Sequence, residues 1–182
     1  GYLLRIGIDH FKEINDNFGQ EYGDFVLRKT ADCISDCLSE VQKVYKLVAD
    51  EFLILDVSSD EVKDADKLYD KVREAIDRFI ETNEFKVMYT VSGGIVPFAA
   101  LKGNQYAEAL KLTDFALNEA KKLGRNRCYI FNGETYRKFL RKREITQELR
   151  GAVNNGFQGF AAFYQPVFAE DKKVPYGAEA LM

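Results

Sequence analysis

The chain has 182 residues and a net charge of −3, with acidic and basic residues interspersed along it. That length suits one domain or a little more with a real core, and the mixed charge excludes a nucleic-acid backbone or an anionic membrane as the expected partner. Its longest apolar stretches, such as Phe160 to Phe168, are far too short to span a bilayer, and the N-terminus lacks the order of a signal peptide. The expectation is a cytoplasmic piece. Its start at Gly1, directly on an apolar strand, reads as an excision that leaves room for a sensor or membrane segment upstream. Three cysteines without CxxC spacing suggest neither a disulfide framework nor a zinc site. Cys33 and Cys37 share a helix face without further ligands, since His10 is the only histidine, and they are read as packing residues.

In chain order, Leu4, Ile6 and Ile8 alternate as a half-buried strand, and the pattern breaks at Asp9 into a helical start from Phe11 to Ile14. After a turn around Gly19 and Gly23, Leu27, Ala31, Ile34, Leu38 and Val41 recur at spacings of four and three, the stripe of a long helix. Two apolar segments within Val44 to Val57, separated by Ala49-Asp50-Glu51, predict an antiparallel hairpin. Ala65, Leu68, Val72, Ile76 and Phe79 predict a second amphipathic helix, Val87 to Val96 a strand, Ala109, Leu112, Ala116, Ala120 and Leu123 a third helix, and Cys128 to Phe131 a last short strand.

The order strand, helix, strand, strand, helix, strand predicts an α+β fold of the split βαβ type, as in ferredoxin-like and palm domains. An antiparallel central sheet would carry helices on one face and be extended by one more helix and strand. The charged stretch Arg137 to Arg150 predicts a connecting helix. The expected organisation is a first domain over 1–133, a connecting helix over 134–148 and a second unit over 149–182.

Three segments stand in a fixed order: Ile8-Asp9-His10-Phe11-Lys12-Glu13-Ile14-Asn15-Asp16, Val48-Ala49-Asp50-Glu51-Phe52, and Ala120-Lys121-Lys122-Leu123-Gly124-Arg125-Asn126. Gly23-Asp24 lies between the first two, and Val91-Ser92-Gly93-Gly94-Ile95 precedes the third. Together they resemble the signature set of GGDEF domains, the bacterial cyclic-di-GMP synthase (diguanylate cyclase) fold. The resemblance implies two Mg²⁺ or Mn²⁺ ions, held by an Asp that opens the first motif and by an acidic residue of the hairpin. They bridge GTP phosphates and activate the attacking 3′-hydroxyl, and such hard cations require oxygen ligands.

Here the opening Asp aligns with Gly7, so the ligands carried over are the Asp50 carboxylate and the Ile8 carbonyl. Asp9 lies on the same strand face but about 6–7 Å further along, and is not expected to substitute. Val48 and Ala49 replace two glycines that would allow a tight turn and close approach of nucleotide. No catalytic set is complete, and Glu51 is the one carboxylate left as a catalytic candidate.

For the nucleotide, the resemblance implies that Asn15 and Asp24 bind the guanine edge, and that Lys121 and Arg125 neutralise the triphosphate. Backbone amides near His10 and Phe11 would receive phosphate oxygens, with Lys12 contributing. Read without it, Asn15 and Asp24 are a cap and a turn residue, and Lys121 and Arg125 complement a helix C-terminus. The family's inhibitory product site, Arg-x-x-Asp before the hairpin, is replaced by Ser39-Glu40-Val41-Gln42 and is expected to be absent.

In the tail, Phe163 to Phe168 and Tyr176 to Met182 resemble the opening of an EAL domain, the cyclic-di-GMP phosphodiesterase (β/α) barrel, as two strands joined by Glu170 to Lys173. The resemblance implies that Glu179 is a metal ligand and that Gln165 lies near the substrate. An isolated pair of such strands is expected to be disordered, to dock onto the first domain or to pair with another copy, since its edges are open.

The functional expectation is a catalytically inactive GGDEF module of a bacterial cyclic-di-GMP signalling protein. It would regulate an EAL phosphodiesterase in cis by binding GTP without turning it over, within a homodimer. The alternatives are an active diguanylate cyclase with a metal site rebuilt around Asp9, Asp50 and Glu51, and a dimerisation scaffold that binds no nucleotide.

Overall fold

Strand β1 (Tyr2–Ile8) is apolar at nearly every position, the pattern of a strand covered on both faces. The computed structural model describes residues 1–58, 61–82, 87–103, 106–169 and 173–181, and the chain separates into two units, Gly1–Gly133 and Glu134–Met182. In the first unit β1 is followed by α1 (Phe11–Phe18), α2 (Gln20–Cys37), β2 (Gln42–Lys46), β3 (Glu51–Asp56), α3 (Val62–Thr82), β4 (Val91–Pro97), α4 (Tyr106–Lys122) and β5 (Cys128–Ile130). The strand order is β2-β3-β1-β4-β5, with β1 at the centre. The first four strands pair antiparallel, as the split βαβ order predicts, whereas β5 joins β4 in parallel after the α4 crossover and makes the sheet mixed.

Helices cover both faces of this sheet, which corrects the one-face expectation. Gly93 and Gly94 are consecutive in β4 and face opposite ways. A Cβ on Gly93 would meet the Tyr69 ring of α3 at 2.7 Å, and one on Gly94 would lie 2.3 Å from the Leu117 backbone nitrogen of α4. Only glycine lets α4 approach β4 so closely. On the α2 and α3 side, Leu4, Ile6, Ile54 and Ile95 join Val26, Ile34, Val72 and Ile76 in the main core.

Several boundaries differ from the periodicity. Gly19 (φ 83) alone separates α1 from α2, and Gly23 is a buried residue inside α2. Leu38 adopts an extended backbone, so it and Val41 fall beyond that helix. Leu123 lies past α4, which is stopped by Gly124 at φ 115. The strand expected from Val87 begins at Val91.

One carboxylate ties three elements together. Asp9, just beyond β1, is 2% exposed. Its Oδ1 accepts from Ser92 Oγ at 2.7 Å, and its Oδ2 accepts from Thr90 Oγ1 at 2.7 Å and from the Asn126 amide at 3.1 Å. Its own amide donates to the Thr90 carbonyl at 2.8 Å. The end of β1, the start of β4 and the turn between α4 and β5 thus converge on one buried charge whose oxygens are hydrogen-bonded.

A second buried carboxylate closes the opposite end of the sheet. Burial alone would raise the Asp56 pKa, but the Ser58 hydroxyl and amide, each at 2.7 Å, and Gln42 Nε2 at 2.6 Å reverse this and hold it at about 2.

In the second unit, α5 (Gly133–Asn154) extends past the expected boundary at 149 and stops near Gly156 (φ 71). Strands β6 (Phe163–Phe168) and β7 (Pro175–Leu181) then form an antiparallel pair with Gln165 opposite Glu179. Residues 170–172 of the expected connection, and Met182, lie outside the described residues.

Asp9→Ala strands the buried Ser92 hydroxyl and frees Thr90 and the Asn126 amide, and is expected to lower the unfolding free energy by about 2 kcal/mol, measured by urea denaturation. Because the Asp56 pKa is depressed on folding, its contribution is full above pH 4 and is lost as the pH falls through about 2. Stability should therefore drop by about 2 kcal/mol over that window through this group, and Asp56→Asn should flatten the dependence.

Candidate functional site

The residues singled out in the sequence fall into two groups in the first unit. At the C-terminal end of β1, Gly7 lies opposite Glu51 of β3 and Ser92 of β4, and the Ile8 amide donates to the Asp50 carbonyl at 3.3 Å. The hairpin closes with the Leu47 amide on the Glu51 carbonyl at 2.9 Å and the Glu51 amide on the Val48 carbonyl at 3.3 Å. Ala49 stands there at φ 54, a left-handed conformation that costs a residue with a Cβ about 1–2 kcal/mol. Val48 is 83% exposed and Phe52 is buried in the core. Lys46 Nζ donates to the Ala49 carbonyl and to the Leu47 carbonyl at 3.2 Å, and partial burial holds its pKa below the ordinary lysine value.

Arg5 was not among the expected site residues. It lies two residues before Gly7 on the same strand face, and its Nε donates to Glu51 Oε2 at 2.7 Å with Nη2 on the same oxygen. Its Nη1 donates to the Leu110 carbonyl at 3.2 Å, and Asp114 lies 3.4 Å from Nη2. Side-chain exposures of 13% and 18% make the Arg5–Glu51 pair a mostly buried one. The signal in the sequence was a lone cation inside the apolar run Tyr2-Leu3-Leu4-Arg5-Ile6.

The Lys121 side chain, from α4, also reaches this strand end. A Cβ on Gly7 would lie 3.1 Å from Lys121 Nζ and 3.4 Å from its Cε. Lys121 is half-buried, and its ammonium has no hydrogen bond or ion pair to any described residue. Among the described residues no group of three or more His, Cys, Asp or Glu side chains is placed to hold a metal ion.

The second group sits on α1 and α2. The Asn15 carbonyl accepts the Gly19 amide at 2.9 Å, closing α1. Asn15 Oδ1 is buried without a protein hydrogen bond and lies where a Cβ on Gly23 would be, 1.8 Å away. Asn15 is therefore held against the neighbour of Asp24, which is exposed on α2.

Lys12 is exposed in the first turn of α1, whose N-cap His10 (φ 56) supplies no side-chain cap. Arg125 lies in the left-handed turn Gly124-Arg125-Asn126, anchored by its amide on the Ala120 carbonyl at 3.2 Å and by Asn126 on Asp9. Glu179 and Gln165 are exposed on the hairpin of the second unit.

A cleft of about 650 Å³ borders α1, α3 and the start of β4, and is lined by Asp9, His10, Glu13, Asp77, Glu81 and Thr90 among others. None of Lys12, Asn15, Asp24, Lys121 and Arg125 lines it, and its carboxylates disfavour a polyphosphate. No helix among the described residues is long and apolar enough to cross a membrane.

The probable diguanylate cyclase DgcC of Escherichia coli K12 is 33% identical over 128 residues, 70% of this chain and 34% of that protein. The cyclic di-GMP phosphodiesterase NbdA of Pseudomonas aeruginosa is 28% identical over 181 residues, 99% of this chain and 22% of that protein. The chain thus spans well under half the length of these relatives. Among solved structures, the isolated GGDEF domain of TpbB (YfiN) from Pseudomonas aeruginosa superposes with a TM-score of 0.67 at 27% identity, covering 76% of this chain and 81% of that one. The active GGEEF domain of a Vibrio cholerae diguanylate cyclase gives 0.61 at 30% identity, over 72% and 82%. The family described as "Diguanylate cyclase, GGDEF domain" matches residues 1–127, and the chain belongs to that family.

Proposed function

We propose that the first unit is a catalytically silent GGDEF module that binds a guanine nucleotide and regulates an attached EAL phosphodiesterase. The observation that carries the reading is the charge at the end of β1: Gly7 faces the Lys121 ammonium, and Glu51 is ion-paired to Arg5.

A pair of divalent cations does not fit these residues. The Asp9 oxygens are already hydrogen-bonded, Glu51 is engaged by Arg5, and the Asp50 carboxylate and the Ile8 carbonyl are too few ligands for two Mg²⁺ or Mn²⁺ ions. Unlike unit charges attract, and like ones repel, by about 4 kcal/mol at 4 Å near a protein surface, so Lys121 opposes a cation over Gly7. No catalytic step is therefore assigned to Glu51.

The residues for holding a nucleotide persist around this altered centre. Asp24 accepts from the guanine N1–H and N2–H₂ edge, and Asn15 supplies the complementary amide groups. Lys12, Lys121 and Arg125 meet the phosphates, together with the amides that open α1. In the tail, Gln165 lies opposite Glu179, as two residues facing one site would. Similarity to NbdA, and to the bifunctional diguanylate cyclase/cyclic di-GMP phosphodiesterase MucR at 26% over 180 residues, runs through that segment. These support an EAL domain in cis, starting near residue 149 and using Glu179 as a metal ligand, with the whole protein working as a homodimer.

Similarity to proteins named diguanylate cyclases favours a second reading, an active enzyme with a metal site rebuilt around Asp9, Asp50 and Glu51. The hydrogen bonds to Asp9 and the Arg5 pair on Glu51 count against it. The scaffold reading requires that no nucleotide bind.

Titration calorimetry of the chain with GTP should show saturable binding, and Asp24→Ala should weaken it roughly tenfold or more and remove preference for GTP over ATP. An unchanged Tm and no heat at millimolar GTP would favour the scaffold. Incubation of the full-length protein with GTP and Mg²⁺ or Mn²⁺ should yield no cyclic-di-GMP by mass spectrometry, and product formation would establish the second reading.

A further inference from the structure

We infer that Lys121, backed by the Arg5–Glu51 pair, takes the place of a divalent cation, so that this site binds nucleotide phosphate without any metal. The inference deepens the nucleotide-binding reading and rests on it.

Three features converge on it. Lys121 Nζ lies 3.1 Å from where a Gly7 Cβ would stand, so the ammonium fills the volume that a side chain at position 7 would otherwise take. That ammonium has no protein partner among the described residues, although it is half-buried. A half-buried cation without a counter-charge is poised for an anion from outside. Glu51, which lies opposite Gly7 in the sheet register, is held by Arg5 Nε at 2.7 Å and by Nη2, and so is engaged elsewhere than at Lys121.

Lys121 and Arg125 are four residues apart. The Gly124-Arg125-Asn126 turn that carries Arg125 is pinned to Asp9 at the end of β1, the strand that Lys121 overlies. Both cations are thereby held near one strand end by the fold itself. A phosphate arriving there finds fixed positive charge in place, and a magnesium ion accompanying it meets repulsion from Lys121 and is offered too few oxygen ligands by Asp50 and Ile8.

The test is calorimetry of the chain with GTP, in EDTA and in millimolar Mg²⁺. The expected result is a Kd in EDTA equal to or tighter than that in Mg²⁺. Lys121→Gln should weaken binding roughly tenfold in both buffers at unchanged Tm, while Lys122→Gln, on an exposed lysine paired with Glu119, should leave the Kd unchanged. Gly7→Asp places a carboxylate beside the ammonium and should abolish the binding seen in EDTA.

A Kd at least tenfold weaker in EDTA overturns the inference while leaving nucleotide binding intact. Normal affinity of Lys121→Gln overturns the role given to that lysine. Absence of heat in both buffers, with a folded protein by circular dichroism, overturns the nucleotide reading and this inference with it.

Discussion

The geometry of the first unit depends on the burial of a single negative charge. Asp9 sits where β1 ends, and the hydrogen bonds it accepts come from Thr90 just before β4, from Ser92 in β4 and from Asn126 in the turn after α4. A buried carboxylate is tolerated only when its oxygens are satisfied, so the three donors are obliged to converge. The same knot fixes the start of α1, the onset of β4 and the left-handed turn that carries Arg125. Residues far apart in the chain become neighbours because that charge cannot be left alone.

Around this anchor the strand end combines a glycine at position 7 with two cations, Arg5 and Lys121. Glu51 is ion-paired to Arg5, and the Lys121 side chain lies over the strand surface at Gly7. Glycine at position 7 accommodates the lysine because it leaves room for its aliphatic chain, and Leu117 at 3.2 Å from the same point supplies the apolar wall. In the hairpin Ala49 holds a left-handed turn that glycine would make easier, and Lys46 steadies the loop by binding its carbonyls.

The fold was largely legible because its elements obey strong periodicities. Alternation in Leu4, Ile6 and Ile8, and the stripes of α3 and α4, identified strands and helices with the correct order. Boundaries slipped where a turn residue was read in isolation: Gly23 looked like a turn but is a contact point for Asn15 within a helix. The second face of the sheet was missed because the Gly93-Gly94 pair shows no side-chain pattern, although it is the pair that admits a helix on each side. The site was legible as a set of motifs but not as a balance of charge. Arg5 belongs to no motif and matters only because register places it beside Glu51, and the hydrogen-bonded burial of Asp9 depends on Thr90, Ser92 and Asn126, which periodicity does not bring together.

The Gly23 and Asn15 contact carries a consequence for how this family member can drift. With the amide oxygen where a methyl would have to sit, the two positions share one volume, so their substitutions are non-additive. An alanine at 23 forces the asparagine out of its seat, and only a smaller partner at 15 restores the fit. Under the proposed nucleotide reading, the helix junction and base recognition therefore share one pair of positions, and neither can be redesigned without the other.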